Sequence, residues 1–257
     1  MIPLSDHNPV SRKALLCPLL IAANVIIFLF IQPSFAGKDA AGREEQFRFN
    51  LCHASIPYEV IHQERLADAD PSEISNEGIN PQALVAAVQQ DCPQKSVWVS
   101  ILASLFFHGG LLHLGGNMLF LWVFGNNIED RLGIGKFALF YLVSGIAATY
   151  AQSIASPDSA IPLIGASGAI AGVLGAYIVL YPRARVRTLI FFIFITVADL
   201  PAVVVLGLWF VLQVFQGAGP GAASDNVAYL AHVGGFVTGM ALLALFRPKR
   251  LPPPVWS

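Results

Sequence analysis

Four polar residues stand out in a chain that is otherwise mostly apolar. Ser167 stands near the front of the stretch "LIGASGAIAGVLGAY" (163–177), where most other side chains are small. His232 lies in "AHVGGFVTG", and His113 and Asn117 lie in "HGGLLHLGGN". A serine hydroxyl is a weak nucleophile until a base takes its proton, and histidine is the side chain best suited to that near neutral pH. Attack on an amide makes an oxyanion, which needs fixed donors. His113 and Asn117 can both donate, and a spacing of four puts them on one helix face. Ser167 falls at the start of its helix, where free backbone N–H groups point at incoming negative charge. No acid is spaced to orient His232, so a serine–histidine dyad is expected.

The elements that must position these groups belong to a membrane protein. Of 257 residues, 55% are hydrophobic and 12% charged, and the mean hydropathy is +0.63. Soluble domains carry about a quarter charged residues, so lipid must replace the missing polar surface. The net charge of −1 argues against a nucleic-acid partner, and no Cys-x-x-Cys or His-rich tract supports a metal. We expect neither metal nor cofactor. Six apolar stretches can span, near 14–36, 108–125, 137–155, 166–181, 188–215 and 227–246. Backbone groups in lipid must pair within the chain, so the expected fold class is all-α.

Charge orients the spans. Arg12, Lys13, Arg131, Lys136, Arg183, Arg185, Arg187, Arg247, Lys249 and Arg250 all fall on one side if the N-terminus is inside, while the short opposite loops carry only Asp158 and Asp225. The positive-inside rule then makes residues 1–13 and 248–257 cytoplasmic. The first span also has the basic start and small-x-small end (Ser34, Ala36) of a cleaved signal peptide. Its apolar body is too long for one, so retention is expected.

In this topology Ser167 opens the fourth span and His232 lies about 8 Å down the sixth. His113 and Asn117 enter from the same outer side. Singly, each has an ordinary reading: a serine bonding its own backbone, a satisfied buried histidine, an asparagine joining helices. Together, at one depth on three helices, they are costly groups that should face a cavity. Gly168, Gly172 and Gly175 repeat along one face of the fourth span, as do His232, Gly235 and Gly239 on the sixth. Small residues let membrane helices approach closely, so the glycines bring the base to the hydroxyl. Gly235 is expected to set that spacing, tolerating a methyl group but not a leucine.

Residues 37–97 are polar, with ten acids against five bases, and should lie outside as a long loop or small subdomain. "PYEVIHQERL" and "PQALVAAVQQ" within it read as short helices. Cys52 and Cys92 both lie there and either pair in an oxidising compartment or stay as separate thiols.

These motifs, with "GNNIEDRLG" after the second span and "YLVSGIAA" in the third, resemble the rhomboid intramembrane serine proteases over about residues 97–247. The resemblance implies a six-helix bundle whose catalytic core is 98–247, preceded by the first helix at 14–36. It implies Ser167 as nucleophile, His232 as base, and His113 and Asn117 as oxyanion donors, with Gly165 lining that hole. His108 would brace the loop before the second helix, and Glu129 and Arg131 would tie the inner loop to the bundle. Residues 97–107 would form a loop half-embedded in the outer leaflet, with Trp98 at the interface. Partners would be the bilayer and membrane-spanning protein substrates, and the location a bacterial inner membrane. The chain departs from the family at Val99, where an arginine is usual, and at Ala171, where an aromatic usually supports the histidine.

Two other functions compete. A non-proteolytic relative would usually lack the serine or the histidine. A small-solute transporter would place polar groups at the midplane in broken helices. Asp199, before Pro201 in the fifth span, is the one residue that fits that picture.

Overall fold

The computed structural model describes residues 1–33, 40–75, 78, 80–191, 195–219 and 227–246. Ser34, Ala36, Asp225, Arg247, Lys249, Arg250 and the tail at 248–257 lie outside the described residues.

The centre is a packed trio of helices: α8 (Ile134–Ala155), α9 (Ser167–Leu180) and α11 (Tyr229–Phe246). Every residue of α9 from Gly168 to Tyr177 is buried. Around the trio lie α1 (Leu16–Phe30), α10 (Ala202–Ala218) and the pair α6 (Leu111–Phe120) and α7 (Asn126–Leu132). Residues Leu121–Gly125 join α6 to α7 through a wide π-turn. Such turns loosen the backbone ladder, and here the Leu121 carbonyl accepts from the Cys17 thiol at 3.1 Å. By length and composition α8 and α11 can each cross a membrane, and α1, α9 and α10 are shorter apolar helices.

Small residues set the spacing within the trio. A Cβ on Gly235 would overlap the Gly168 carbonyl oxygen, and one on Gly239 the Gly172 carbonyl oxygen. On its other side α9 meets α8, where a Cβ on Gly172 would lie 2.5 Å from the Ser144 side chain. The expectation that Gly235 tolerates a methyl group is therefore corrected. The contact is backbone on backbone, and nothing flexible can move aside.

The polar segment has its own core. Helices α2 (Ala40–His53), α3 (Pro57–His62) and α4 (Pro81–Asp91) enclose Leu51, Ile56, Tyr58, Leu66, Leu84 and Val88. Pro57 starts α3 and Asn80 caps α4, its side chain accepting from Gln82 N–H. Inside, Lys95 Nζ lies 2.7 Å from Glu59 and 2.8 Å from the Leu51 carbonyl. Burial pulls the Lys95 ammonium below the ordinary lysine range, against the opposing pull of Glu59. Cys52 and Cys92 are joined in a disulfide, tying the end of α2 to the end of α4.

The fifth span differs from expectation. Residues Arg185–Phe191 (β2) and Ile195–Pro201 (β3) form an antiparallel hairpin, and β1 (Ile2–Asp6) adds to β2. The helix begins only at Ala202. The run is rich in β-branched residues, and Arg185 and Arg187 alternate with buried Val186 and Thr188, a period of two. Pro201 keeps Leu200 out of helical conformation and starts the helix behind it. Asp199 therefore lies on a strand and not inside a helix. It faces Arg187 across the hairpin and lies 3.4 Å from both Arg187 and His7, 41% exposed. The transporter reading loses its one supporting residue. The segment expected as a loop at 97–107 contains a helix, α5 (Val97–Ser104), with Trp98 61% exposed on it.

Two outcomes follow from this packing. Gly239→Ala should lower stability by about 1–3 kcal/mol through overpacking, read as a lower unfolding temperature in detergent. Gly207→Ala, with open space at its Cβ, should leave it unchanged. Non-reducing mass mapping should recover one peptide pair linked through Cys52 and Cys92, and two free thiols in an oxidising host would reject the bridge.

Candidate active site

The segment before Ser167 is held from two sides. Leu163 N–H donates to the Ser55 carbonyl at 2.7 Å, and Gly165 N–H to the Ser104 carbonyl at 2.9 Å. The Ser104 hydroxyl accepts from Ser55 N–H at 2.6 Å and donates to the Ser100 carbonyl at 2.7 Å. The polar segment and α5 together thus fix the approach to α9. Gly165 has φ +123, a region L side chains rarely adopt. A Cβ there would also lie 2.9 Å from His113 Nε2 and 3.5 Å from Ser167 Oγ. Ser167 is the first residue of α9, so its own N–H and those of the next residues have no partner within the helix.

His232 lies in the first turn of α11. Gln152 from α8 holds the start of that helix, its Oε1 accepting from Leu230 N–H at 3.2 Å and Ala231 N–H at 3.3 Å. His232 Nε2 lies 2.8 Å from Ser167 Oγ. Its Nδ1 lies 2.6 Å from Gln213 Oε1 on α10. A carbonyl oxygen only accepts, so Nδ1 carries the proton and Nε2 is free to accept from the Ser167 hydroxyl. Trp209, one turn before Gln213, sets its ring 5.8 Å from the imidazole, centre to centre. The chain lacks the expected aromatic at Ala171, and Trp209 from another helix packs on the histidine.

His113 Nδ1 accepts from Gly109 N–H at 3.2 Å. Its proton is therefore on Nε2, the nitrogen beside Gly165 and Ser167. Asn117 Nδ2 is buried and has no hydrogen-bond partner among the described residues. Ser167, His232, His113, Asn117 and Trp209 line one cavity of about 1050 Å³, whose wall also includes Phe47, Asn50 and Pro57 of the polar segment. The cavity brings together Ser167, His232, His113 and Asn117, and Gly165 packs beside His113 and Ser167 without lining it.

The remaining singled-out residues lie outside it. The backbone of His108 is bracketed by Gln32, whose Oε1 accepts from His108 N–H at 2.9 Å and whose Nε2 donates to its carbonyl at 3.2 Å. Its ring meets His113 edge-on at 5.1 Å. Glu129 accepts backbone N–H groups from Leu15, Leu16 and Cys17 at 2.8–2.9 Å, satisfying the start of α1. Arg131 lies over the Tyr181 ring at 5.5 Å. Gln213 and Trp209 were not anticipated. A lone amide in "LWFVLQVF" was the available signal, since polar side chains in apolar helices usually have a partner.

The family model for the Rhomboid domain matches residues 95–249. The chain belongs to the rhomboid family. Family membership makes it an integral membrane protein built as a helical bundle. It is 33% identical to rhomboid protease GluP of Bacillus subtilis over 183 residues, 69% of this chain and 32% of that one. It is 34% identical to the mitochondrial Rhomboid protein 1 of Saccharomyces cerevisiae over 149 residues, 55% of this chain and 40% of the other. RHOMBOID-like protein 5 of Arabidopsis thaliana is 26% identical over 94% of this chain and 71% of its own length. The chain thus spans about a third of GluP and two fifths of the yeast rhomboid.

Gly165→Ala tests the loop geometry. Strain of about 1–3 kcal/mol at a left-handed residue, added to the clash with His113, should lower turnover of a membrane-spanning substrate at least about tenfold. The protein should still insert.

Proposed function

We propose that this rhomboid is an intramembrane serine endopeptidase working through Ser167 and His232. The observation that carries this reading is the 2.8 Å contact between Ser167 Oγ and His232 Nε2 on the wall of a cavity. In the acylation step His232 Nε2 takes the hydroxyl proton as Oγ attacks the scissile carbonyl. The carbonyl oxygen gains negative charge, and His113 Nε2–H, Asn117 Nδ2–H and the Ser167 N–H donate to it. The imidazolium then returns the proton to the leaving amine, the C–N bond breaks, and an acyl-serine remains. Water, deprotonated by the same imidazole, releases the acid and restores Oγ–H. The buried, unpartnered Asn117 amide is what an oxyanion donor waiting for its acceptor would look like.

In this reading the bundle comprises six spans: α1, α6 running on into α7, α8, α9, α10 and α11. The polar segment 37–97 is an extracytoplasmic subdomain, and α5 lies at the outer interface. Several observations support this orientation. Lys136 Nζ donates to the Phe246 carbonyl at 2.9 Å, and Arg185 and Arg187 lie just past the C-terminal end of α9, so basic residues gather at the end remote from Ser167. The Cys52–Cys92 bridge lies on the Ser167 side, as an oxidising compartment requires. A bacterial inner membrane with both termini cytoplasmic meets both conditions. Glu129 and Arg131 then serve the cytoplasmic end structurally.

Ser167→Ala and His232→Ala should each abolish cleavage of a membrane-spanning substrate while leaving the protein inserted. His113→Ala and Asn117→Ala should each lower kcat by about 10²–10³. Unchanged cleavage by purified Ser167→Ala protein would overturn the assignment of Ser167, whereas client binding without cleavage by the wild-type protein would support a non-proteolytic relative.

A further inference from the structure

We propose that Gln213 is the positioning residue of His232, acting from α10 as the third member of the catalytic array. The inference rests on the dyad reading and deepens it. Ser167 can give its proton to Nε2 only if Nε2 is bare, which requires the imidazole proton to stay on Nδ1. Something at Nδ1 must therefore accept. Gln213 Oε1 does so at 2.6 Å, from a residue only 8% exposed. Trp209, at i−4 on the same face, sets its ring 5.8 Å from the imidazole and tilted 37° to it, which leaves the imidazole less room to rotate. One face of α10 thus supplies both the acceptor that selects the tautomer and the aromatic surface that holds the ring plane. The same surface occupies the role left vacant at Ala171 on α9.

An amide differs from a carboxylate here. It selects the same tautomer, but it carries no charge to stabilise the imidazolium, and an ionised carboxylate in this setting would be costly. The groups facing His232 are Ser167 on α9, His113 on α6, and Trp209 and Gln213 on α10, while Gln152 on α8 holds the backbone just before it. His113 is the titratable one among them, and it is on a separate element.

The test compares Gln213→Leu and Gln213→Glu with wild type, using the full chain in detergent or proteoliposomes. It measures kcat and KM for a membrane-spanning substrate across pH 5–9. Gln213→Leu keeps the size and removes the acceptor. It should lower kcat about ten- to hundredfold at every pH with little change in KM. Gln213→Glu restores an acceptor and adds a charge. It should recover most of the lost kcat at high pH, with the acid limb of the profile moved to higher pH, because a neighbouring carboxylate favours the imidazolium. Wild-type kcat in Gln213→Leu would overturn the proposal. So would equal losses in the two variants with an unshifted acid limb, since Gln213 would then only fill space. Ser167→Ala runs alongside: cleavage persisting there refutes the dyad itself, whatever the Gln213 variants do.

Discussion

The carbonyl oxygens of Gly168 and Gly172 lie where any side chain on Gly235 or Gly239 would have to go. Lipid tails are as apolar as leucine, so membrane helices gain little from hiding side chains against each other. They gain from close packing. In the proposed mechanism close packing has a chemical purpose, because Ser167 has only one side-chain carbon with which to reach. The seam between α9 and α11 brings His232 Nε2 to 2.8 Å from Ser167 Oγ. One residue of bulk in the seam moves the imidazole away without touching either reacting group.

Everything else around the site fixes orientation once the seam has fixed distance. α8 holds the start of α11 through Gln152, and α10 holds the imidazole through Gln213 and Trp209. The nucleophile's turn is held by hydrogen bonds from outside the bundle, through Ser55 and Ser104. That gives the polar segment a part in the proposed active site. It is braced by the buried Glu59–Lys95 pair and the Cys52–Cys92 bridge, and it also forms one wall of the cavity. A chain entering that cavity meets this subdomain as well as the helices.

The contact between Ser167 and His232 was legible because its residues are expensive. A hydroxyl and an imidazole at matching depth in apolar helices, each beside repeated glycines, are hard to read as packing. The hairpin at 185–201 was not legible. A short apolar run fits a buried strand or a helix equally well, and only the alternation of Arg185, Val186, Arg187 and Thr188 before Pro201 argued for strand. The helical expectation put Asp199 inside a helix and drew attention from Gln213 in the same run. The intolerance of Gly235 to a methyl group was also hidden. Sequence shows that two glycine faces exist, but not that each one meets a bare backbone. The tautomer of His232 depends on a partner nineteen residues earlier on another helix, which no local motif encodes.

The central claim is that helix spacing activates Ser167. Site-localised phosphonylation by a fluorophosphonate, read by mass spectrometry on protein in lipid bilayers, measures it most directly. Wild-type protein should be modified on Ser167. Gly235→Leu protein, inserted and retaining both Ser167 and His232, should react at the background rate of His232→Ala. Modification of Ser167 in Gly235→Leu at the wild-type rate would contradict the account.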